Sequence, residues 1–201
     1  MNQPNDLPIV YIDMDNVIVD FATGIEKLSA EALAKYPEVD GKRHGIDEEP
    51  GIFSLMDPYP DAIDAVIALV QSKKLDVYLL STAPWKNPSA WSDKLKWVHH
   101  HFDTGIRDEQ NPAAENYLYK RLILSHNKHR NSGEYLIDDR LANGAKDFQG
   151  KHIHFGDADP EEFREGEYPT WLSVLEFFSE RGLLETQIVE KFAQKHAKQG
   201  E

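Results

Sequence analysis

Residues 8–16 read Pro-Ile-Val-Tyr-Ile-Asp-Met-Asp-Asn, a short β-branched and aromatic run that ends in acidic residues. Such a run is typical of a strand buried inside a parallel sheet, where both faces of the strand are covered. Asp13 and Asp15 stand two residues apart, and this spacing points both carboxylates the same way in an extended chain. The stretch therefore predicts a first strand that presents two acids at its carboxyl end.

Strand and helix patterns alternate along the rest of the chain. Further strands are predicted at 75–80, 122–124, 134–139 and 151–155. Helices are predicted at 21–36, 61–72, 89–101 and 170–179, followed by a last helix that carries Leu184, Ile188 and Phe192. This alternation favours an α/β fold with a doubly wound, mostly parallel sheet.

The chain divides into a core with one insertion. Residues 37–60 are rich in Gly, Pro, Asp and Glu, which indicates irregular structure. We therefore expect a short helical and irregular cap at 21–60. The core would comprise residues 1–20 and 61–182, and residues 183–201 would form the C-terminal helix.

Composition narrows the class of protein. The 201 residues contain 22 Lys and Arg against 35 Asp and Glu, a formal charge of −13, which argues against a nucleic-acid polymer or an anionic membrane surface as partner. The chain has no cysteine, which excludes disulfides and thiolate metal sites and suits a reducing cytoplasm. The amino terminus shows no secretory signal, so we expect a cytoplasmic protein.

Polar side chains follow the predicted strands where each one ends. Ser81-Thr82 follows the strand at 75–80, Lys128 follows 122–124, and Asp138-Asp139 closes 134–139. In open α/β sheets ligands bind beyond the carboxyl ends of the strands, so these groups and the first acid pair are expected around one crevice. Any one of them alone is more typical of a turn or a surface residue, but their conjunction indicates a site.

Carboxylates that converge in this way repel one another unless a cation lies between them. Oxygen ligands without thiols favour Mg²⁺, which ordinarily shares its remaining positions between water and substrate phosphate. Hydroxyl and ammonium groups opposite the metal would hold the other phosphate oxygens. The sequence therefore predicts a Mg²⁺ site that takes a phosphate ester.

The same residues carry a family resemblance. Asp13-Met14-Asp15, Thr82, Lys128 and Asp138-Asp139 resemble the four ordered motifs of the haloacid dehalogenase superfamily of phosphohydrolases. Longer strings over residues 9–178 resemble the 5′(3′)-deoxyribonucleotidase family, the cytosolic type C 5′-nucleotidases. These strings are DMDNVIVDF, the Thr-Ala-Pro turn with its helix ending KWVHHHF, the ten-residue step from Lys128 to Asp138, LIDDR, and the late Trp171.

The resemblance implies a mechanism for each motif. Asp13 would attack phosphorus and become an aspartyl phosphate, while Asp15 would protonate the leaving oxygen and later activate water. The role would require a raised pKa for Asp15, which crowding by Asp13 and the phosphate would favour. Thr82 would bind a phosphate oxygen, and Lys128 would neutralise charge shared between phosphate and Asp13.

The resemblance also implies a ligand set for the metal. Mg²⁺ would be held by Asp13, by the backbone carbonyl of Asp15 and by Asp139, with Asp138 beside it. Which of Asp138 and Asp139 touches the metal stays open at this point. The substrate would be a small phosphate ester, a (deoxy)ribonucleoside monophosphate.

Three departures from the family pattern concern phosphate and base recognition. Asn16 stands where the superfamily usually has Gly, although Asn tolerates the left-handed conformation. Ala83 replaces a second hydroxyl, and the cap is shorter than the family's by about one helical hairpin. Phe53 lies near the family's aromatic base contacts and is a candidate substrate-binding residue, but it could equally be a buried anchor of the cap.

Other interpretations remain open. The same core chemistry could serve another small ester such as a sugar phosphate, and a receiver-like or catalytically lapsed phospho-binding module is a further alternative. His152 and His154 share a strand face, yet without an adjacent carboxylate we do not expect a metal there. The stripe of Leu184, Ile188 and Phe192 indicates packing within this chain or against a second copy, which would give a homodimer.

Overall fold

The computed structural model describes residues 7–103, 116–156 and 168–197. The extreme amino terminus, interpreted above as free of a secretory signal, and the last four residues of the predicted C-terminal segment lie outside these ranges. No helix within them is both long and apolar enough to cross a membrane.

Five parallel strands form the central sheet: β1 (Ile9–Ile12), β4 (Asp76–Ser81), β5 (Leu122–Leu124), β6 (Tyr135–Asp138) and β7 (Lys151–His154). Their order across the sheet is β5-β4-β1-β6-β7. The register places Val10 beside Val77 on one side and Tyr135 on the other. This confirms the predicted mostly parallel α/β sheet and adds the strand order that the sequence left undetermined.

Helices cover one face of the sheet more heavily than the other. The helices of the core are α3 (Ala62–Gln71), α4 (Pro88–Phe102), α5 (Trp171–Glu180) and α6 (Thr186–His196). Val10 and Ile12 of β1 face the large core that these helices share, while Tyr11 points to the opposite face. In the described chain that second face is covered mainly by Ala145 and Phe148, and Phe148 meets the Tyr11 ring edge-on.

The segment between β1 and α3 begins and ends with one strand each of a two-stranded antiparallel sheet. Its strands are β2 (Val19–Asp20) and β3 (Asp57–Pro58). Between them lie α1 (Phe21–Glu26), α2 (Ala30–Ala34) and two single 3₁₀ turns, Ile46–Glu48 and Ile52–Ser54. The prediction of one helix over 21–36 was wrong, because the Ser29 hydroxyl caps a new helix by accepting from the Ala32 amide.

The last helix packs within the chain. Phe192 of α6 is buried in the large core, where α6 contacts α5 and α3. Asp61 occupies the N-cap position of α3, but its side chain makes no capping bond and instead pairs with His196 of α6. The C-terminal stripe therefore packs within its own chain. The homodimer stays a prediction.

Trp171, at the start of α5, connects that helix to the loop that follows β1. Its indole is buried against Phe155, and its Nε1 donates to the Val17 carbonyl oxygen at 3.1 Å. Val17 itself has no solvent exposure, so no water can replace the indole as donor without a rearrangement. The hydrogen bond thus ties a core helix to the loop that carries Asp15.

Replacing Trp171 by Phe would leave the Val17 carbonyl without its donor. We expect W171F to lower the free energy of unfolding by about 1–3 kcal/mol, the cost of an unsatisfied buried polar group. Urea denaturation followed by circular dichroism measures this change. Trp91, which is 42% exposed, supplies the matched control, and W91F should shift the value by less than about 0.5 kcal/mol. Equal losses in the two variants would contradict the assigned hydrogen bond.

Candidate active site

The carboxyl ends of four neighbouring strands bring the predicted polar residues to one edge of the sheet. Asp13 follows β1, Ser81 ends β4, Lys128 follows β5 and Asp138 ends β6. Because these strands are parallel and adjacent, residues far apart in sequence meet here. The crevice expected from the sequence is therefore present in the fold.

Lys128 lies at the centre of this group. Its Nζ is 2.9 Å from Asp13 Oδ2 and 2.6 Å from Asp138 Oδ2, and the side chain is 2% exposed. Burial lowers the pKa of Lys128, but the two carboxylates outweigh this effect and hold the pKa above its ordinary value. Lys128 is therefore a permanent cation that bridges the first and fourth motifs.

Asp13 is buried and stays ionised. Burial raises its pKa, but the charges of Lys128 and Lys94 outweigh that effect and hold the pKa below its ordinary value. Asp13 Oδ1, in contrast to Oδ2, has no hydrogen-bond partner in the described chain. The site thus holds a carboxylate with one oxygen paired and one oxygen unpaired.

The two acids of the second pair differ in how their oxygens are engaged. Asp138 has both oxygens engaged, one by Lys128 and one by the Arg140 backbone amide at 3.0 Å. Asp139 accepts from Asn16 Nδ2 at 3.3 Å through Oδ2, whereas its buried Oδ1 has no hydrogen bond and only an ion pair of 3.5 Å with Arg140 Nε. Asp139 is therefore the better ligand for a metal ion.

These carboxylates fit a metal ion. Ligand atoms of Asp13, Asp138 and Asp139 lie within 4.8 Å of one another. Burial raises the pKa of Asp138 to about 7, with repulsion from Asp13 as a second cause, and burial also raises the pKa of Asp139. The cluster is short of positive charge, and the two unpaired oxygens of Asp13 and Asp139 are hard ligands that a divalent cation would satisfy.

The backbone conformation of Asn16 and two histidine side chains hold the acid pairs in place. Asn16 adopts a left-handed conformation with φ of 57°, as the sequence led us to expect for the residue that replaces glycine. Ring Nε2 of His154 lies 2.8 Å from the Asp139 carbonyl oxygen, and Nε2 of His152 lies 3.2 Å from that of Asp138. Since a carbonyl only accepts, these ring nitrogens carry protons, and the two histidines orient the backbone of the acid pair.

Asp15 has a different partner from the other acids. Its Oδ1 lies 2.6 Å from Nζ of Lys94, a residue that the sequence analysis missed. Burial raises the pKa of Asp15, Lys94 opposes this effect, and repulsion from Asp13 adds to it. The pKa of Asp15 is thus raised, as expected, but burial rather than crowding is the main cause.

A signal for Lys94 does exist in the sequence. Ala90, Trp97 and Val98 form the buried stripe of α4, and Lys94 lies within that stripe at helical spacing. A lysine on the apolar face of a helix requires a buried partner, so the pattern alone could have indicated an acidic contact.

A cavity of about 600 Å³ adjoins the site, and of the four acids Asp15 lines it. Asp15, Thr82 and Arg140 line its floor, while Phe21, Phe53 and Trp85 contribute aromatic walls. Phe53 is almost fully buried and meets the Phe21 ring edge-on at 5.9 Å, so it serves as an anchor of the segment even though it lines the cavity. Trp85 is 82% exposed at the cavity and meets the His126 ring edge-on at 6.3 Å, so much of its indole stays accessible.

Thr82 departs in one respect from its expected role. Its hydroxyl donates to the Ser125 carbonyl oxygen at 2.9 Å. A hydroxyl carries one proton, so in this geometry only its lone pairs face the cavity. To donate to a phosphate oxygen, the hydroxyl would have to rotate away from Ser125.

Comparison with known proteins places the chain in a class and then in a family. The matching family and the named relatives make the chain a phosphoric monoester hydrolase. The family described as 5′ nucleotidase, deoxy (Pyrimidine), cytosolic type C protein matches residues 7–177, and the chain belongs to this family.

Two sequence relatives support this membership. A protein of Vibrio phage KVP40 that carries the name 5′(3′)-deoxyribonucleotidase is 47% identical, over 87% of this chain and 86% of its own length. The human 5′(3′)-deoxyribonucleotidase of cytosolic type is 24% identical over 65% of this chain and 70% of its own length. Among solved structures, a haloacid dehalogenase family hydrolase from Deinococcus radiodurans aligns over 89% of this chain and 98% of its own, with 14% identity and a TM-score of 0.47.

The unequal engagement of the second acid pair predicts which acid binds a cation. Replacing Asp139 by Asn removes one unpaired carboxylate oxygen, and we expect D139N to raise the Kd for Mg²⁺ more than about tenfold. Isothermal titration calorimetry with MgCl₂ measures this. Asp147, an exposed acid between β6 and β7, supplies the control D147N, which should bind like the parent. Parental Mg²⁺ affinity in D139N would refute the assignment.

Proposed function

We propose that this protein hydrolyses (deoxy)ribonucleoside monophosphates to nucleoside and phosphate through an aspartyl phosphate at Asp13. The observation that carries the proposal is the Asp13 carboxylate itself, which is buried, ionised and paired with Lys128 through only one oxygen. A carboxylate held in this state is a ready nucleophile. The 47% identity to a phage protein named as a deoxyribonucleotidase supports the choice of substrate.

The reaction would run in two balanced steps. A carboxylate oxygen of Asp13 bonds to phosphorus as the ester P–O bond breaks, and Asp15 gives its proton to the departing nucleoside oxygen. Water then attacks phosphorus, Asp15 takes a proton from that water, and the P–O bond to Asp13 breaks. Phosphate leaves, and Asp13 and Asp15 return to their starting states.

Several groups of the site would bind the phosphate and balance its negative charge. Lys128 would neutralise Asp13 and the incoming phosphate, and Thr82 would contribute its hydroxyl after it leaves Ser125. Mg²⁺ would be held by Asp13, Asp139 and the backbone carbonyl of Asp15, with Asp138 beside them. When bound, this ion supplies the positive charge that lets an anionic ester approach an anionic nucleophile.

Residues 21–60 would serve as a cap that selects the leaving group. The segment contributes Phe21 and Phe53 to the cavity wall, and Trp85 stands beyond them on the loop after β4. An indole that is 82% exposed inside a cavity offers a flat apolar face, which a nucleobase can cover by stacking. A sugar phosphate would leave this face uncovered.

Removing the nucleophile tests the chemistry. We expect Asp13→Asn (D13N) to abolish Mg²⁺-dependent hydrolysis of p-nitrophenyl phosphate, because an amide does not form the acyl phosphate. Colorimetric release of nitrophenolate measures this, with the thermal midpoint as a check of folding. Asp40→Asn, at an exposed acid of the 21–60 segment, is the control and should keep parental turnover. Residual parental activity in D13N would remove Asp13 from the reaction.

Removing the exposed indole tests the substrate. We expect Trp85→Ala (W85A) to raise KM for nucleoside monophosphates about 10- to 100-fold, since stacking contributes about 1–3 kcal/mol per base. The KM for ribose 5-phosphate should not change, and W85F should restore most of the lost affinity. Trp91, the exposed tryptophan of α4 outside this cavity, supplies the control W91A.

The substrate preference of the parent and the KM of W85A are both measured as phosphate release. The panel comprises deoxyribonucleotides, ribonucleotides and sugar phosphates. If the parent refused every nucleotide but hydrolysed a sugar phosphate, the chemistry would stand and the substrate class would change. If W85A and the parent had equal KM for nucleotides, the stacking role of Trp85 would be lost.

A further inference from the structure

Lys94 of α4 is a buried cation that the two-step scheme does not use. Its side chain is 1% exposed, which makes it one of the largest fully buried side chains in the described chain. Removing an ammonium group from water costs several kcal/mol unless good partners replace the water. A lysine in this position therefore indicates a specific arrangement of partners.

The partners of Lys94 come from three separate segments. Its Nζ lies 2.6 Å from Asp15 Oδ1 and 3.2 Å from the Ser81 hydroxyl oxygen, and 4.5 Å from the centroid of the Phe53 ring. Asp15 follows β1, Ser81 ends β4, and Phe53 belongs to the segment between β2 and β3. The ammonium group thus fixes the carboxyl of Asp15 relative to both the sheet and the cavity wall.

The cations of the site are divided between the acids. Lys128 pairs with Asp13 and Asp138, Arg140 pairs with Asp139, and among the ion pairs of the described residues only that of Lys94 involves Asp15. Asp15 lines the cavity whereas Lys94 does not. Lys94 therefore holds Asp15 from the protein side and occupies Oδ1, which leaves Oδ2 for a group in the cavity.

We propose that Lys94 is a positioning residue that holds the Asp15 carboxyl in the orientation needed to transfer a proton to the leaving oxygen. This inference rests on the proposed function, in which Asp15 is the acid and base. It adds a fifth element to the site, supplied by the middle of a helix rather than by a strand end.

The leaving group distinguishes positioning from a merely structural role. A nucleoside or sugar oxygen needs a proton to depart, whereas nitrophenolate departs without one. Because kcat/KM reports the phosphorylation of Asp13, a misplaced Asp15 should harm alkyl esters much more than p-nitrophenyl phosphate. We expect Lys94→Met (K94M) to lower kcat/KM about 100-fold for an alkyl phosphate and less than about tenfold for the aryl ester.

A double-mutant cycle shows whether Lys94 acts through Asp15. If it does, D15N and the double variant D15N/K94M should have the same kcat/KM for the alkyl phosphate, because D15N has already removed the group that Lys94 positions. Lys96 on the same helix is 73% exposed and supplies the control K96M, which should match the parent on both esters. Should K94M fail to fold, K94Q replaces it in the cycle, with the thermal midpoint measured for each variant.

Each result decides the role of Lys94. A loss that depends on the leaving group and disappears in the D15N background supports it. Three results would overturn it: an equal loss of kcat/KM on both esters, a further loss when K94M is added to D15N, or parental kcat/KM in K94M. The parent's own rates on the two esters test the proposed function separately, and inactivity of the parent on both would remove that function together with this inference.

Discussion

The site depends on one buried cation placed between two buried carboxylates. Lys128 pairs with Asp13 and Asp138 and lowers the pKa of both, although burial still leaves the pKa of Asp138 raised to about 7. The pairing joins the end of β1 to the end of β6 through a residue that follows β5, so three strands are held at one electrostatic centre. Breaking a buried pair by removing one partner leaves an uncompensated charge, which makes this contact a constraint on the fold as well as on the chemistry.

A second pair repeats the arrangement for the other acid of the first strand. Lys94 pairs with Asp15 as Lys128 pairs with Asp13, but Lys94 has a single carboxylate whereas Lys128 has two. The difference in partners separates the two acids chemically: the pKa of Asp13 is lowered, and the pKa of Asp15 is raised, mainly by burial. Two carboxylates two residues apart thus have pKa values shifted in opposite directions, which is what the proposed nucleophile and proton donor require.

The sequence predicted the features that depend on short patterns of neighbouring residues. Apolar runs located all five strands of the central sheet within a residue or two, and the polar residues after them located the site. It did not predict the break at Ser29, because a helical stripe from Phe21 to Tyr36 does not reveal that a hydroxyl will cap a second helix. It also could not show that Asp139 is less engaged than Asp138 or find the Asp15 contact of Lys94, since both depend on how hydrogen bonds and ion pairs are distributed in the folded chain.

The helix that carries Lys94 also holds the wall of the cavity. Asn87, buried at the start of α4, donates to the carbonyl oxygens of Asp47 and Glu49, and the indole of Trp97 further along donates to that of Met56. The segment between β2 and β3 is therefore bonded to α4 at both ends of the stretch that contains Lys94. Since the same helix fixes Asp15 and the wall above it, their separation is set by a rigid element rather than by a hinge. In the proposed function such a cavity would select its occupant by shape, and the exposed ring of Trp85 is the part of its lining that the occupant would cover.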